Sequence, residues 1–234
     1  YTVEEKPTGE ISAGAGFGTS GEVIEFAVRE NNYLGKGIGL DTALSLGSER
    51  ISGKFNVRNR NFRDTDKNMN FGLQAIETDK LENFGYKSSR IGGLIGTNFE
   101  YRQDFNLGIQ GSSFIETIDT NSTASQRQKS QKGDYFDTYL NLDFDLDKRN
   151  QSFRTSDGYR SIYSIGLPIV SEKNTLNNFY NYKLFSELFE NNISILSISL
   201  SSATSITGDD VKLSERLYIP GSKLRGFQRG KIGP

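Results

Sequence analysis

Three aspartates, Asp137, Asp143 and Asp145, are the residues whose spacing most suggests chemistry, because they share one parity in a stretch of two-residue alternation. Carboxylates grouped in this way are candidates for acid–base work or for holding a hard cation. A straight strand sets them in a row rather than around a point, so the spacing favours carboxylates that face water or pair with Lys or Arg. No metal site is assigned. The remaining palette is thin. The chain has no cysteine and no histidine, which removes thiolate nucleophiles, disulfides, the commonest metal ligand and every Ser-His-Asp arrangement. Carboxylates, Lys, Tyr and Ser remain, so an enzyme is not the default reading and no cofactor is expected. Arg225 is the other conspicuous group. It stands between Leu224 and Gly226-Phe227 in KLRGFQRGKIGP, residues 223–234. At a loop tip the glycine lets the backbone turn, the phenylalanine packs, and the guanidinium reaches for carboxylates. On the residues alone, an ordinary basic surface loop accounts for this stretch equally well.

The element carrying the aspartates is a strand. Phe136, Thr138, Leu140, Leu142, Phe144 and Leu146 alternate with Asp137, Tyr139, Asn141, Asp143 and Asp145. Unpaired charges cannot sit in a dry core, while the leucines and phenylalanines need an apolar medium. A strand with one face toward lipid and one toward a watery lumen satisfies both. Ile38, Leu40, Thr42, Leu44 and Leu46 alternate in the same way with Gly39, Asp41, Ala43 and Ser45. The pattern predicts strands at about 11–18, 23–30, 38–46, 51–57, 69–77, 91–101, 105–115, 135–146, 159–170, 178–190 and 193–204, eleven in all.

The composition agrees. At 234 residues and 26.1 kDa, with a net charge of −1, the chain lacks the basic excess of a dedicated nucleic-acid binder. Its mean hydropathy of −0.55 and the absence of any apolar run long enough for a spanning helix exclude a helical membrane protein. A transmembrane β-barrel escapes that test, because only alternate residues meet lipid. No signal peptide is visible at Tyr1, as expected of a cytosolic chain or of a piece of a longer precursor. The aromatics Tyr33, Phe62, Phe84, Tyr101, Tyr135, Tyr159 and Tyr180 lie near predicted strand ends, where interface girdles belong. Short turns such as 19–22 and 190–192 contrast with the polar segment TNSTASQRQKSQKG (residues 120–133), which offers no apolar anchor. The expectation is short turns at one end of the strands and long loops at the other.

The ends differ from the middle. Residues 1–8 read as the end of a preceding domain and a linker, residues 9–206 as strands one to eleven, and residues 207–234 as a basic loop. Eleven is odd, and bacterial single-chain barrels are even-numbered. The fold class expected is therefore all-β: an antiparallel transmembrane β-barrel, with this chain supplying part of a larger even-numbered one. The first strand, Ile11-Ser12-Ala13-Gly14-Ala15-Gly16-Phe17-Gly18, is rich in small residues. Its glycines relieve crowding at a barrel bend on one reading. On the other it is a weakly held edge, because Gly and Ala make few cross-strand contacts.

Three motifs, in order and spacing, resemble the BamA-type outer-membrane assembly proteins. KLRGFQRGKIGP resembles their Arg-Gly-Phe signature and the Ile-Gly-Pro that follows it. VEEKPTGEISAGAGFGTSGEV resembles their junction between the last POTRA domain and the first barrel strand. ENNYLGKGIGL (residues 30–40) resembles their second-hairpin motif. Asn59-Arg60, Phe153-Arg154-Thr155 and Pro220-Gly221 depart from the family's usual turn residues. The resemblance implies a barrel of about sixteen strands preceded by periplasmic POTRA domains. It also implies a function without ATP or covalent chemistry, namely folding and inserting β-barrel client proteins into the bacterial outer membrane through a lateral seam. Residues Ile11 to Gly18 would then be the edge that accepts a client strand. Leu224, Arg225, Gly226 and Phe227 would be the tip of a loop that folds into the lumen and locks there. Implied partners are client proteins, accessory lipoproteins of the assembly complex, periplasmic chaperones and the lipid bilayer. A TamA-like or two-partner-secretion translocator is the nearest alternative. A passive porin or adhesin barrel fits the motifs less well, and the absent histidine weighs against an outer-membrane phospholipase or protease.

Overall fold

The structure is a computed structural model that describes residues 7–18, 21–190 and 192–219. Eleven strands follow one another through a single antiparallel sheet in chain order. They are β1 (Gly9–Gly18), β2 (Gly21–Tyr33), β3 (Ile38–Gly47), β4 (Arg50–Asn59), β5 (Asn68–Lys80), β6 (Tyr86–Arg102), β7 (Phe105–Thr120), β8 (Gly133–Asp147), β9 (Gly158–Val170), β10 (Thr175–Phe189) and β11 (Asn192–Ser205). The alternation pattern thus located every described strand. Two four-residue helices, α1 (Leu81–Phe84) and α2 (Gln126–Lys129), and a 3-10 turn at Phe62–Asp64 interrupt the connections. Among the described residues no helix is long and apolar enough to cross a membrane.

The chain divides into two compact units, Tyr1–Asn98 with Gln110–Asp137, and Phe99–Ile109 with Thr138–Pro234. In the first, register sorts the side chains onto two faces. Ala13 lies opposite Phe26 and Ala15 opposite Ile24. Phe26 lies opposite Leu44, Phe55 opposite Leu73 and Phe71 opposite Ile95. These positions form an apolar face, and Phe26, Leu44, Phe55, Leu73 and Ile95 are exposed on it. Large exposed apolar side chains in unbroken rows require a solvent other than water. The opposite face is polar. There Arg29 Nε donates to Asp41 Oδ2 at 3.1 Å, and Ser45 Oγ donates to Glu25 Oε1 at 3.3 Å.

The β2–β3 turn shows why its motif reads as it does. Leu34, Gly35 and Gly37 all have positive φ, a conformation that glycine adopts without strain. Asn32 Oδ1 accepts from the Gly37 N–H at 2.6 Å, and the Asn32 carbonyl accepts from the Gly35 N–H at 3.0 Å.

Three expectations fail in this unit. The segment at 120–133 is anchored rather than loose. Ser125 and Gln128 form a reciprocal capping box on α2, Ala124 is buried, and Gln131 is almost fully buried. Tyr135 is also buried. Its hydroxyl donates to the Gln131 carbonyl at 2.8 Å, so it holds the loop and is not an interface aromatic. The connections also do not sort by length. The two-residue turn at 48–49 and the long segment at 121–132 both follow odd-numbered strands, so they lie at the same end of an antiparallel sheet.

In the second unit β8, β9, β10 and β11 pair in order. Leu140 lies opposite Leu167, Leu142 opposite Ile165 and Phe144 opposite Tyr163. The Phe144 and Tyr163 rings stack with centroids 6.1 Å apart. Tyr163, Tyr180, Leu196, Ile198 and Leu200 continue the apolar face by register. The short turn at 103–104 and the long one at 148–157 again share an end, each following an even-numbered strand. Lys148 bridges the two, donating to Asp104 Oδ2 at 2.8 Å. That hydrogen bond raises the lysine above its ordinary pKa.

Candidate functional site

The aspartate row in β8 resolves into separate partnerships. Asp137 is fully buried. Asp143 accepts from the Ser164 hydroxyl. Asp145 takes a bidentate contact from Arg160, with Nε at 3.0 Å and Nη2 at 2.6 Å. Fork-to-carboxylate pairing of this kind is geometrically specific and charge-assisted. Among the described residues no three carboxylates converge on one point. Asp143 and Asp145 thus brace β8 to β9, whereas Asp137, expected to face water or pair with Lys or Arg, is withdrawn from solvent.

β1 is different. In the sheet order it stands at one end, with β2 as its neighbour. Every residue from Gly9 to Gly18 has a register partner in β2, from Gly9 opposite Glu30 to Gly18 opposite Gly21. The side chains add little to that ladder. Gly14 lies opposite Glu25 and Gly16 opposite Val23. A methyl group built on Gly14 would meet nothing within 4 Å. Ile11 and Phe17 are 85% and 88% exposed, so even the two large residues of the strand pack on almost nothing. The edge is thus a run of backbone donors and acceptors held by hydrogen bonds, with minimal side-chain support. Thr8 ties its start to the Glu30 carboxylate.

A third place was not anticipated. After β11 the chain turns back, burying Lys212 completely and Leu213 almost so. Glu215 receives the hydroxyl of Tyr139 at 2.7 Å, and Lys212 Nζ lies 3.5 Å from the same oxygen. Tyr139 belongs to the aspartate parity of β8, so the polar face of that strand holds the root of the loop. The signal was available in two pieces. Tyr139 interrupts the row of acids on one face, and Lys212 and Glu215 have the three-residue spacing of a single turn. Nothing local joins two segments so far apart in sequence. The sequence-predicted tip, Leu224, Arg225, Gly226 and Phe227, lies outside the described residues.

Residues 32–234 match the Omp85 superfamily domain. No curated protein matches. Among solved structures, the crystal structure of BamA from Haemophilus ducreyi lacking POTRA domains 1–3 matches with a TM-score of 0.84 and 18% identity. The match covers 99% of this chain and 48% of that one. At such identity the likeness is one of fold, and the chain spans about half the length of the structure it matches.

Proposed function

This chain belongs to the Omp85 superfamily, and on that premise we propose that it helps fold and insert β-barrel client proteins into the outer membrane. Its all-β fold and family make it part of a bacterial outer-membrane β-barrel protein. The proposed mechanism uses neither ATP nor covalent catalysis. β1 serves as one lip of a lateral seam, and a client strand adds to its backbone edge by β-augmentation. The observation that carries this reading is the contrast within β1 between a full backbone ladder and nearly absent side-chain packing. Ladder hydrogen bonds are sequence-independent, so an edge of this kind can receive many different strands. A lip held by few contacts also separates at low cost. The exposed apolar face gives the barrel its contact with the bilayer. Accessory lipoproteins and periplasmic chaperones are proposed partners by family.

The test is reconstitution of the intact protein in liposomes with an unfolded barrel client and no nucleotide. Appearance of heat-modifiable, protease-resistant client well above the rate in empty liposomes supports the reading. Passage of an unfolded substrate across the bilayer, without client folding, would assign the protein to the translocating branch of the family instead.

A further inference from the structure

The segment after β11 is built around one turn. The Ile206 N–H donates to the Asn174 carbonyl at 2.9 Å, and the Glu215 and Arg216 N–H groups both donate to the Lys212 carbonyl, at 2.9 and 3.1 Å. That turn puts Lys212 and Glu215 side by side. The Lys212 side chain is fully buried and that of Glu215 is 7% exposed. A carboxylate withdrawn this far from water must be offset by donors. Oxygen Oε1 has Tyr139 and Lys212, while Oε2 has no hydrogen-bond partner among the described residues. The carboxylate therefore depends heavily on those two donors, one of which comes from a different strand. Tyr139 is itself 5% exposed, so water cannot readily replace it.

We infer that Glu215 is a positioning residue, clamping the root of the loop after β11 onto the polar face of β8 through Tyr139, with no dependence on residues 224–227. The clamp deepens the proposed function without depending on it. It fixes where the loop leaves the wall, whether the barrel inserts clients or translocates them.

The experiment compares Tyr139→Phe, Glu215→Gln, their double variant and Arg225→Ala in the intact protein in membranes. The readouts are the rate of protease cleavage within residues 206–219 and the unfolding midpoint of the barrel. Tyr139→Phe keeps the ring and removes only the hydroxyl, so it is expected to raise cleavage about tenfold, as loss of one buried hydrogen bond would. The barrel midpoint should stay at the parent value. Glu215→Gln keeps an oxygen that accepts from Tyr139 and weakens that bond by removing the charge, so it should raise cleavage less, and the double variant should cleave more slowly than the product of the two single effects, because both lesions act on the same bond. Arg225→Ala should multiply either effect by its own factor. Cleavage of Tyr139→Phe at the parent rate would overturn the clamp even if Glu215→Gln fails to assemble. Multiplicative effects of Tyr139→Phe and Glu215→Gln would also overturn it. A non-multiplicative combination with Arg225→Ala would overturn the separation of root from tip.

Discussion

β1 and β8 are both strands of one antiparallel sheet, and both read as alternating in sequence. What their side chains add to the ladder differs sharply. Along β8 and β9 several side chains contribute something beyond the backbone. Phe144 stacks on Tyr163, Asp143 holds Ser164, and Asp145 clamps Arg160. Along β1 and β2 the pairs are Ala13 with Phe26, Gly14 with Glu25 and Gly16 with Val23, and the polar face of β1 offers no side chain at Gly14 or Gly16. Cross-strand pairs are each worth a few tenths to about 1 kcal/mol, so a run of them distinguishes the braced wall at β8 from β1, the strand proposed as the lip. The lesson is that a sheet can loosen its hold on one strand by deleting side chains while keeping the backbone ladder.

The harshest way to break the comparison is to place a charge on the apolar face of the wall. Leu142→Arg should destabilise the barrel by about 2–4 kcal/mol if it sits at the bilayer midplane, while Asn141→Arg on the polar face should cost far less. Denaturant unfolding of the intact protein, followed by heat-modifiability, measures both. Next comes the bracing of β8. Asp145→Ala removes the carboxylate that Arg160 grips, and roughly 1 kcal/mol is expected because the pair is partly hydrated. The matching change in the weak region, Glu25→Ala opposite Gly14, should fall within about 0.5 kcal/mol. Equal losses at the two positions would erase the contrast. A smaller, opposite effect should follow from Ala13→Val with Ala15→Val. Supplying β-branched side chains opposite Phe26 and Ile24 should tighten β1 by a few tenths of a kcal/mol, read as slower hydrogen exchange of the β1 amides.

The smallest effect is expected at the turns. The hydrogen bond from Lys148 to Asp104 raises the lysine pKa. Its contribution is therefore fully present below the ordinary lysine pKa and is lost only as pH rises through the raised value. Stability of Lys148→Ala relative to the parent should be flat between about pH 5 and pH 9, checked by unfolding midpoints across that range.

Most of the fold was legible because alternation is a physical requirement of a strand between two solvents. Ile38 to Leu46 and Phe136 to Leu146 could be read on sight for that reason. The boundaries were less legible. β6 begins at Tyr86 and β7 runs on to Thr120, beyond the apolar band, where polar residues occupy both faces and the two-residue signal vanishes. Tyr135 was misplaced because its aromatic type suggests an interface, while its burial is set by Gln131, in a loop whose composition suggests solvent. β1 was legible as a candidate edge from its glycines and alanines. The root clamp was not, since Tyr139 and Glu215 are brought together only by the return of the chain onto β8.

The central claim is that the backbone edge of β1 receives a client strand, and disulfide mapping tests it most directly. Single cysteines at Ser12, Gly14 and Gly16 of the intact protein would each be challenged with single cysteines stepped along the terminal strand of a stalled client. The account predicts a ladder of cross-links in which moving two residues along β1 moves the partner two residues along the client, the period of a paired strand. Scattered cross-links without register, or a ladder formed by another strand while β1 stays silent, would contradict it.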